Sequence, residues 1–159
     1  MNDILLYRGP RISTRAIRTG LCVASLLFAA TGQQAAQAAT GEGISGTFTA
    51  EHGATTNPSG GIRGSVDPAT GIMTFTLSFT GLSSPPTAAH FHGPAAPGQD
   101  AGVLEPIKLT NQNPLRGRVT LKPSELVTLR RGLMYVNLHT KRYPAGEARA
   151  QLHLAPDAH

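Results

Sequence analysis

Gly71-Ile72-Met73-Thr74-Phe75-Thr76-Leu77-Ser78-Phe79 is the stretch that decides the fold. Met73, Phe75, Leu77 and Phe79 alternate with Ile72, Thr74, Thr76 and Ser78. Successive side chains of an extended chain point to opposite faces, so this is a β-strand with one face committed to a core. Immediately before it, Asp67-Pro68-Ala69-Thr70 supplies turn formers. Ile62–Val66 and Ile72–Phe79 are therefore expected to pair as an antiparallel hairpin.

The same logic extends in both directions. Upstream, Ile44–Glu51 reads as one strand, with Ile44, Phe48 and Ala50 on the core side and Ser45, Thr47 and Thr49 opposite. Downstream, Thr87–His92, Gly102–Leu109, Leu115–Leu121, Leu133–His139 and Ala145–Leu154 are short segments bounded by Gly, Pro, Asn or charged residues. Pro123–Arg131 is the one helical candidate, because Pro and Ser suit a helix start. The expected fold is all-β: an antiparallel, Greek-key-like β-sandwich or barrel of seven or eight short strands with one short helical turn.

The first 38 residues have a different character and are read as a signal peptide. Arg8, Arg11, Arg15 and Arg18 precede an apolar run, Gly20–Ala30, which is too short to span a bilayer at roughly 20 residues. Ala36-Gln37-Ala38 then offers a cleavage site before Ala39. The expectation is an exported protein, periplasmic or secreted, without a permanent membrane anchor, its single domain running over residues 39–159 with a core at about 43–154. Cleavage changes the charge that matters. The whole chain has 14 Lys+Arg against 9 Asp+Glu, and losing four Arg and Asp3 leaves a domain near +2. That balance gives no support to a nucleic-acid surface. Cys22, the one cysteine, leaves too, which excludes disulfides, thiolate ligation and a cysteine nucleophile from the processed domain.

Chemistry is best sought among the six histidines. In Ala89-His90-Phe91-His92-Gly93-Pro94 the two imidazoles share a strand face while Phe91 turns to the core. Two such rings, their Cα atoms about 7 Å apart, can reach one metal ion. His139 is the best further ligand, because Met134, Val136 and Leu138 mark the core face of its strand and leave Tyr135, Asn137 and His139 opposite. His52 is a weaker fourth. An imidazole set without thiolates suits copper or zinc. The alternative is that the histidines cap the strand and hydrogen-bond to loop carbonyls. His153 shares a face with Glu147, Arg149 and Gln151, read as solvated surface with Glu147 and Arg149 as a surface ion pair, or else a buried one fixing a hairpin. His159 is terminal.

Several enzyme classes find no footing. The chain has no Gly-rich phosphate loop, no Gly-x-Ser-x-Gly elbow and no His-Glu-x-x-His helix. Its carboxylates form no obvious acid–base pair, and its few aromatic residues read as core rather than as a stacking platform for nucleic acid. No catalytic residue is assigned.

Three blocks in order, Ala89-His90-Phe91-His92-Gly93-Pro94-Ala95, Tyr135-Val136-Asn137-Leu138-His139-Thr140 and Tyr143-Pro144-Ala145-Gly146-Glu147-Ala148-Arg149-Ala150-Gln151-Leu152, resemble the CHRD (chordin) domain. The resemblance covers about Gly43–Leu154. It implies an extracellular β-sheet domain with a Greek-key-like barrel and no established catalytic activity. Ala148 and Ala150 depart from the pattern, where a larger apolar residue and a glycine are expected. At fold level the His-x-His strand is similar to that of copper–zinc superoxide dismutases, an analogy only, since the long zinc loop and the cysteines of that enzyme are missing. Two functions follow as expectations. The first is a non-enzymatic structural or binding module with a protein partner that the sequence does not name. The second is a copper- or zinc-binding protein built on His90, His92, His139 and His52, with superoxide-type redox chemistry as its furthest extension.

Overall fold

The structure, a computed structural model, describes residues 41–155. The expected signal peptide, its cleavage site and His159 lie outside the described residues. Ten strands are present: β1 (Glu42–Thr47), β2 (Thr49–Ala50), β3 (Ser59–Val66), β4 (Ile72–Thr80), β5 (Ala88–His92), β6 (Val103–Pro106), β7 (Leu115–Thr120), β8 (Tyr135–His139), β9 (Ala148–Gln151) and β10 (His153–Leu154). One helix, α1 (Pro123–Arg130), separates β7 from β8. The strands form two antiparallel five-stranded sheets, ordered β10-β1-β3-β4-β7 and β2-β9-β8-β5-β6. The all-β sandwich read from the sequence is thus the fold.

The hairpin forms where its turn chemistry puts it. The Asp67 carboxylate accepts hydrogen bonds from the Ala69 N–H and the Thr70 hydroxyl, both at 2.8 Å, and Gly71 supplies the left-handed φ of 71° that closes the turn. Val66 then lies opposite Met73, and Ile62 opposite Leu77. All four are fully buried. They face Phe91, Val136, Leu138, Ala148 and Ala150 of the second sheet, likewise inaccessible. The Phe75 and Phe91 rings meet edge-on across the sandwich, 5.2 Å between centroids. Phe75 also lies over Gly117, its neighbour in register on β7, where any Cβ would run into the ring. Ala148 and Ala150, the two departures from the CHRD pattern, sit opposite Leu138 and Val136 with no exposed surface.

The strand count exceeds seven or eight because two expected strands are each divided. Ile44–Glu51 breaks at Phe48 into β1 and β2, and Ala145–Leu154 breaks at Leu152 into β9 and β10, the halves lying in different sheets. The breaks are partners. β1 pairs with β10, and β2 pairs with β9, so one antiparallel pair bends as a unit from one sheet into the other, as at the corners of sandwiches. Phe48 and Leu152, 2% and 0% exposed, fill the bend. A Cβ on Gly46 would meet the Gln151 carbonyl there at 2.5 Å. Ala50, expected in the core, is exposed past this corner.

The helix starts one residue after Lys122, whose N–H donates to the Glu125 carboxylate at 2.8 Å, the return half of a capping box. Leu126 and Leu129 join the core. Among the described residues, no helix is long and apolar enough to cross a membrane.

Candidate metal centre

The outer face of the second sheet carries the polar residues of interest, and it is not the solvated surface expected. In β8, Tyr135 and Asn137 are 1% and 2% exposed, although Val136 and Leu138 occupy the core on the other face. The cover is the segment 93–101, which follows β5 and folds back over the sheet. Arg149 holds it by donating to the Gln99 and Ala96 carbonyls at 2.7 and 3.1 Å. Gln151 Nε2 donates to the Ala95 carbonyl at 3.0 Å, and the Ala101 N–H donates to the Tyr135 hydroxyl at 3.1 Å. The Arg149 guanidinium lies 3.5 Å from the Tyr135 ring centroid, and the His92 ring stacks with Tyr135 at 5.0 Å and 13°.

Arg149 and Glu147 do not form the surface pair. Arg149 is paired with Glu51 at 2.9 Å. Glu147 has no exposed surface, and its carboxylate accepts from Thr56 Oγ1 (2.7 Å), the Ser83 N–H (2.6 Å), Ser83 Oγ (2.7 Å) and Thr140 Oγ1 (2.6 Å). Burial opposes ionisation, but these donors outweigh it and hold the group below the usual carboxylate range. His153 is likewise not on this face. It belongs to β10 in the other sheet.

His90, His92 and His139 are brought together, each offering a ring nitrogen within 4.8 Å of the others. Ring centroids lie 5.0 Å apart for His90–His139, 5.6 Å for His90–His92 and 5.9 Å for His92–His139. β5 keeps continuous register with β8 from Ala88 to His92, and the register shift between Phe91 and His92 on the other side places the extra residue, Leu104, on β6. Two backbone carbonyls set the tautomers. His92 Nδ1 donates to the Ala101 carbonyl and His139 Nδ1 to the Pro144 carbonyl, both at 3.0 Å. Each bond puts the ring proton on Nδ1 and leaves Nε2 unprotonated, the tautomer typical of histidines that ligate a metal through Nε2. His90 Nδ1 donates to His139 Nε2 at 3.1 Å. His92 Nε2 is buried and has no hydrogen-bond partner among the described residues; Asn137 Oδ1 is the other such atom.

The environment favours the neutral form of His90 and of His92. Burial, then the neighbouring His139 and His92 imidazoles, hold His90 below the ordinary imidazole value. Burial does the same to His92 against the Ala101 carbonyl, which works the other way. Neutral imidazoles are the ligating form. Tetrahedral Zn–N bonds of about 2.0–2.1 Å require nitrogens about 3.3 Å apart, so small ring rotations separate this arrangement from a three-histidine metal site.

His52 stands apart from the trio. Its Nε2 bonds to Asp100 Oδ1 at 3.1 Å and its Nδ1 lies 3.6 Å from Glu51 Oε2, and these three residues form a second, more exposed group. Burial lowers the basicity of His52, but Asp100 and Glu51 overcome it and the net shift is upward. Sequence reasoning put Tyr135 on the face of His139 without giving it a role, paired Arg149 with Glu147 instead of Glu51, and did not bring Glu51 to this face. The one local hint was the long Gly- and Pro-rich segment directly after His92.

Fold and site together define an antiparallel β-sandwich domain whose second sheet presents a roofed cluster of imidazoles. The chain belongs to the CHRD family: the CHRD domain matches residues 29–152. No curated protein and no solved structure matches the chain significantly.

Proposed function

We propose that this CHRD domain is an exported binding module whose ligand is a transition-metal ion, copper(II) or zinc(II), held by His90 Nδ1, His92 Nε2 and His139 Nε2, the His90 proton moving from Nδ1 to Nε2 as the metal takes the place of the His90–His139 hydrogen bond. The observation that carries the reading is His92 Nε2, a buried nitrogen without a partner that faces two other imidazoles. Leaving a buried acceptor unpaired costs about 1–3 kcal/mol, a cost that a metal bond at that lone pair removes. The carbonyls of Ala101 and Pro144 support it by fixing the tautomers that ligation needs. Export rests on the basic and apolar order of Arg8 to Ala30 and the Ala36-Gln37-Ala38 site.

The direct His90–His139 bond favours a second reading, a purely structural domain in which the rings satisfy one another. Titration with copper(II) and with zinc(II) separates the two. The metal reading expects one equivalent bound with Kd below about 1 μM, a melting temperature raised by the metal, and loss of both effects in His92→Ala and in His139→Ala. If neither ion shifts melting or binds stoichiometrically, the domain is a structural module and the metal reading is wrong.

A further inference from the structure

The outer face of the first sheet is as bare as that of the second is covered. One register row crosses all five strands, His153–Ser45–Arg63–Thr76–Arg116. The next row is Gly43–Ser65–Thr74–Arg118. Arg63, Arg116 and Arg118 are exposed, and none has a carboxylate partner among the described residues. The strands of this sheet contain a single acidic residue, Glu42, which shares the parity of buried Ile44 and is paired with Arg130 at 2.7 Å. Around the arginines the face carries mainly small side chains, the hydroxyls of Ser45, Ser65, Thr74, Thr76 and Ser78, with His153 at one edge and Ile72 near the other end of β4. Strand spacing puts Arg63 and Arg116 about 10 Å apart at Cα, and Arg116 and Arg118 about 7 Å apart.

We infer that this face is a docking surface for an anionic polysaccharide, its arginines receiving acidic groups set at intervals along an extended chain and its serine and threonine rows receiving sugar hydroxyls. The charge complementarity is specific to the face, because the processed domain as a whole is near neutral. Guanidinium forks pair with carboxylate and sulfate in two-point fashion. Single-stranded nucleic acid is disfavoured because the face carries no Phe, Tyr or Trp to form a stacking platform for successive bases. A five-stranded face is also too broad for the major groove of duplex DNA, which admits a helix or a two-stranded ribbon. The surface belongs to the sheet opposite the imidazole cluster, so the inference does not depend on metal binding.

The test measures binding of the purified protein to alginate (carboxylated), dextran sulfate (sulfated), neutral dextran and duplex DNA, at low salt and at about 0.5 M NaCl, where screening is strong. Binding to at least one acidic polysaccharide is expected at low salt, with loss at high salt and none to neutral dextran; the preferred polymer identifies the anion. The triple variant R63S/R116S/R118S should weaken it by about tenfold or more, as the loss of three charge-assisted contacts implies. An equal charge change elsewhere, R131S/K141S/R142S, should change it less than about twofold, since a screened net charge alone contributes little. Melting temperatures of both variants report that they fold, and His92→Ala should bind the polymer as the parent does. Failure to bind either acidic polymer, equal losses in the two triple variants, or binding to DNA alone would each overturn the proposal.

Discussion

Replacing Glu147 by Gln is the sharpest probe of how the loops over this domain are held. The carboxylate has no exposed surface and accepts four hydrogen bonds, two on each oxygen, from Thr56, Ser83 and Thr140. It therefore ties two loop segments, those of Thr56 and Ser83, to the β8–β9 connection, and braces that connection internally through Thr140. In the amide, one oxygen keeps its two donors as neutral bonds. The nitrogen faces the Ser83 and Thr140 hydroxyls, which must turn round, although Thr140 Oγ1 already accepts from the Tyr143 N–H at 3.2 Å. Charged hydrogen bonds contribute about 1.5–3 kcal/mol each and neutral ones about 0.5–1.5. Demoting two bonds and compromising two more, less the lower desolvation cost of an amide, gives a loss of about 3 kcal/mol. For a domain of this size that is a fall in Tm of roughly 10 °C.

The pH dependence supplies a second check on the same residue. Glu147 is depressed in the folded state, so its stabilisation is present above the unfolded carboxyl value of about 4.3 and is lost as pH falls through the lower folded value. Urea unfolding of parent and Glu147→Gln at neutral pH and at successively lower pH should show the gap closing in acid. A gap under about 0.5 kcal/mol at neutral pH, smaller than the worth of one neutral bond, would refute the reasoning; so would a gap independent of pH.

Two further predictions concern the core and the cover. Gly117→Ala puts a methyl group against the Phe75 ring and should cost about 1–3 kcal/mol by overpacking; in a Phe75→Leu background the cost should fall, and simple additivity in denaturant midpoints would show that the ring is not the obstacle. Arg149→Met keeps volume but leaves Glu51, whose side chain is 11% exposed, with only the Asn137 amide and His52 beside it among the described residues, at a cost of about 3 kcal/mol, and it releases the 93–101 segment. Hydrogen exchange should accelerate at the Ala95 and Ala101 amides, and unchanged protection there would mean that Arg149 does not hold the segment.

Where the sequence was legible, the determinants were local. The Asp67–Thr70 turn and the Met73, Phe75, Leu77 parity act within a few residues, so the hairpin and its register follow directly. The shared face of His90 and His92 was legible for the same reason, since strand parity puts i and i+2 together; parity also gave the face of His139, while its approach to the pair comes from the pairing of β5 with β8. The corner at Phe48 and Leu152 was not, because both segments keep period-two alternation straight through the bend and the break is imposed by packing. Nor was the burial of Tyr135 and Asn137, which depends on a loop distant in sequence from β8. The Glu147 site also escaped notice, because charge at alternate positions looks the same whether a residue meets water or three hydroxyl-bearing side chains.

A sandwich requires only that its two inner faces be apolar, and here the outer faces have diverged. The second sheet buries a guanidinium, a carboxylate, a phenol and an amide beneath one short segment, an arrangement that destabilises unless nearly every polar atom finds a partner. Arg149 meets that demand with bonds to Glu51, Gln151 and two carbonyls, and Tyr135 with the Ala101 amide. Against a network so nearly complete, an open nitrogen on His92 is informative. The stacked Tyr135 ring and the Ala101 carbonyl fix the direction of its lone pair whether or not anything is bound. The roof over the sheet thus holds the His92 imidazole in one orientation, whereas on the other outer face Arg63, Arg116 and Arg118 stay exposed.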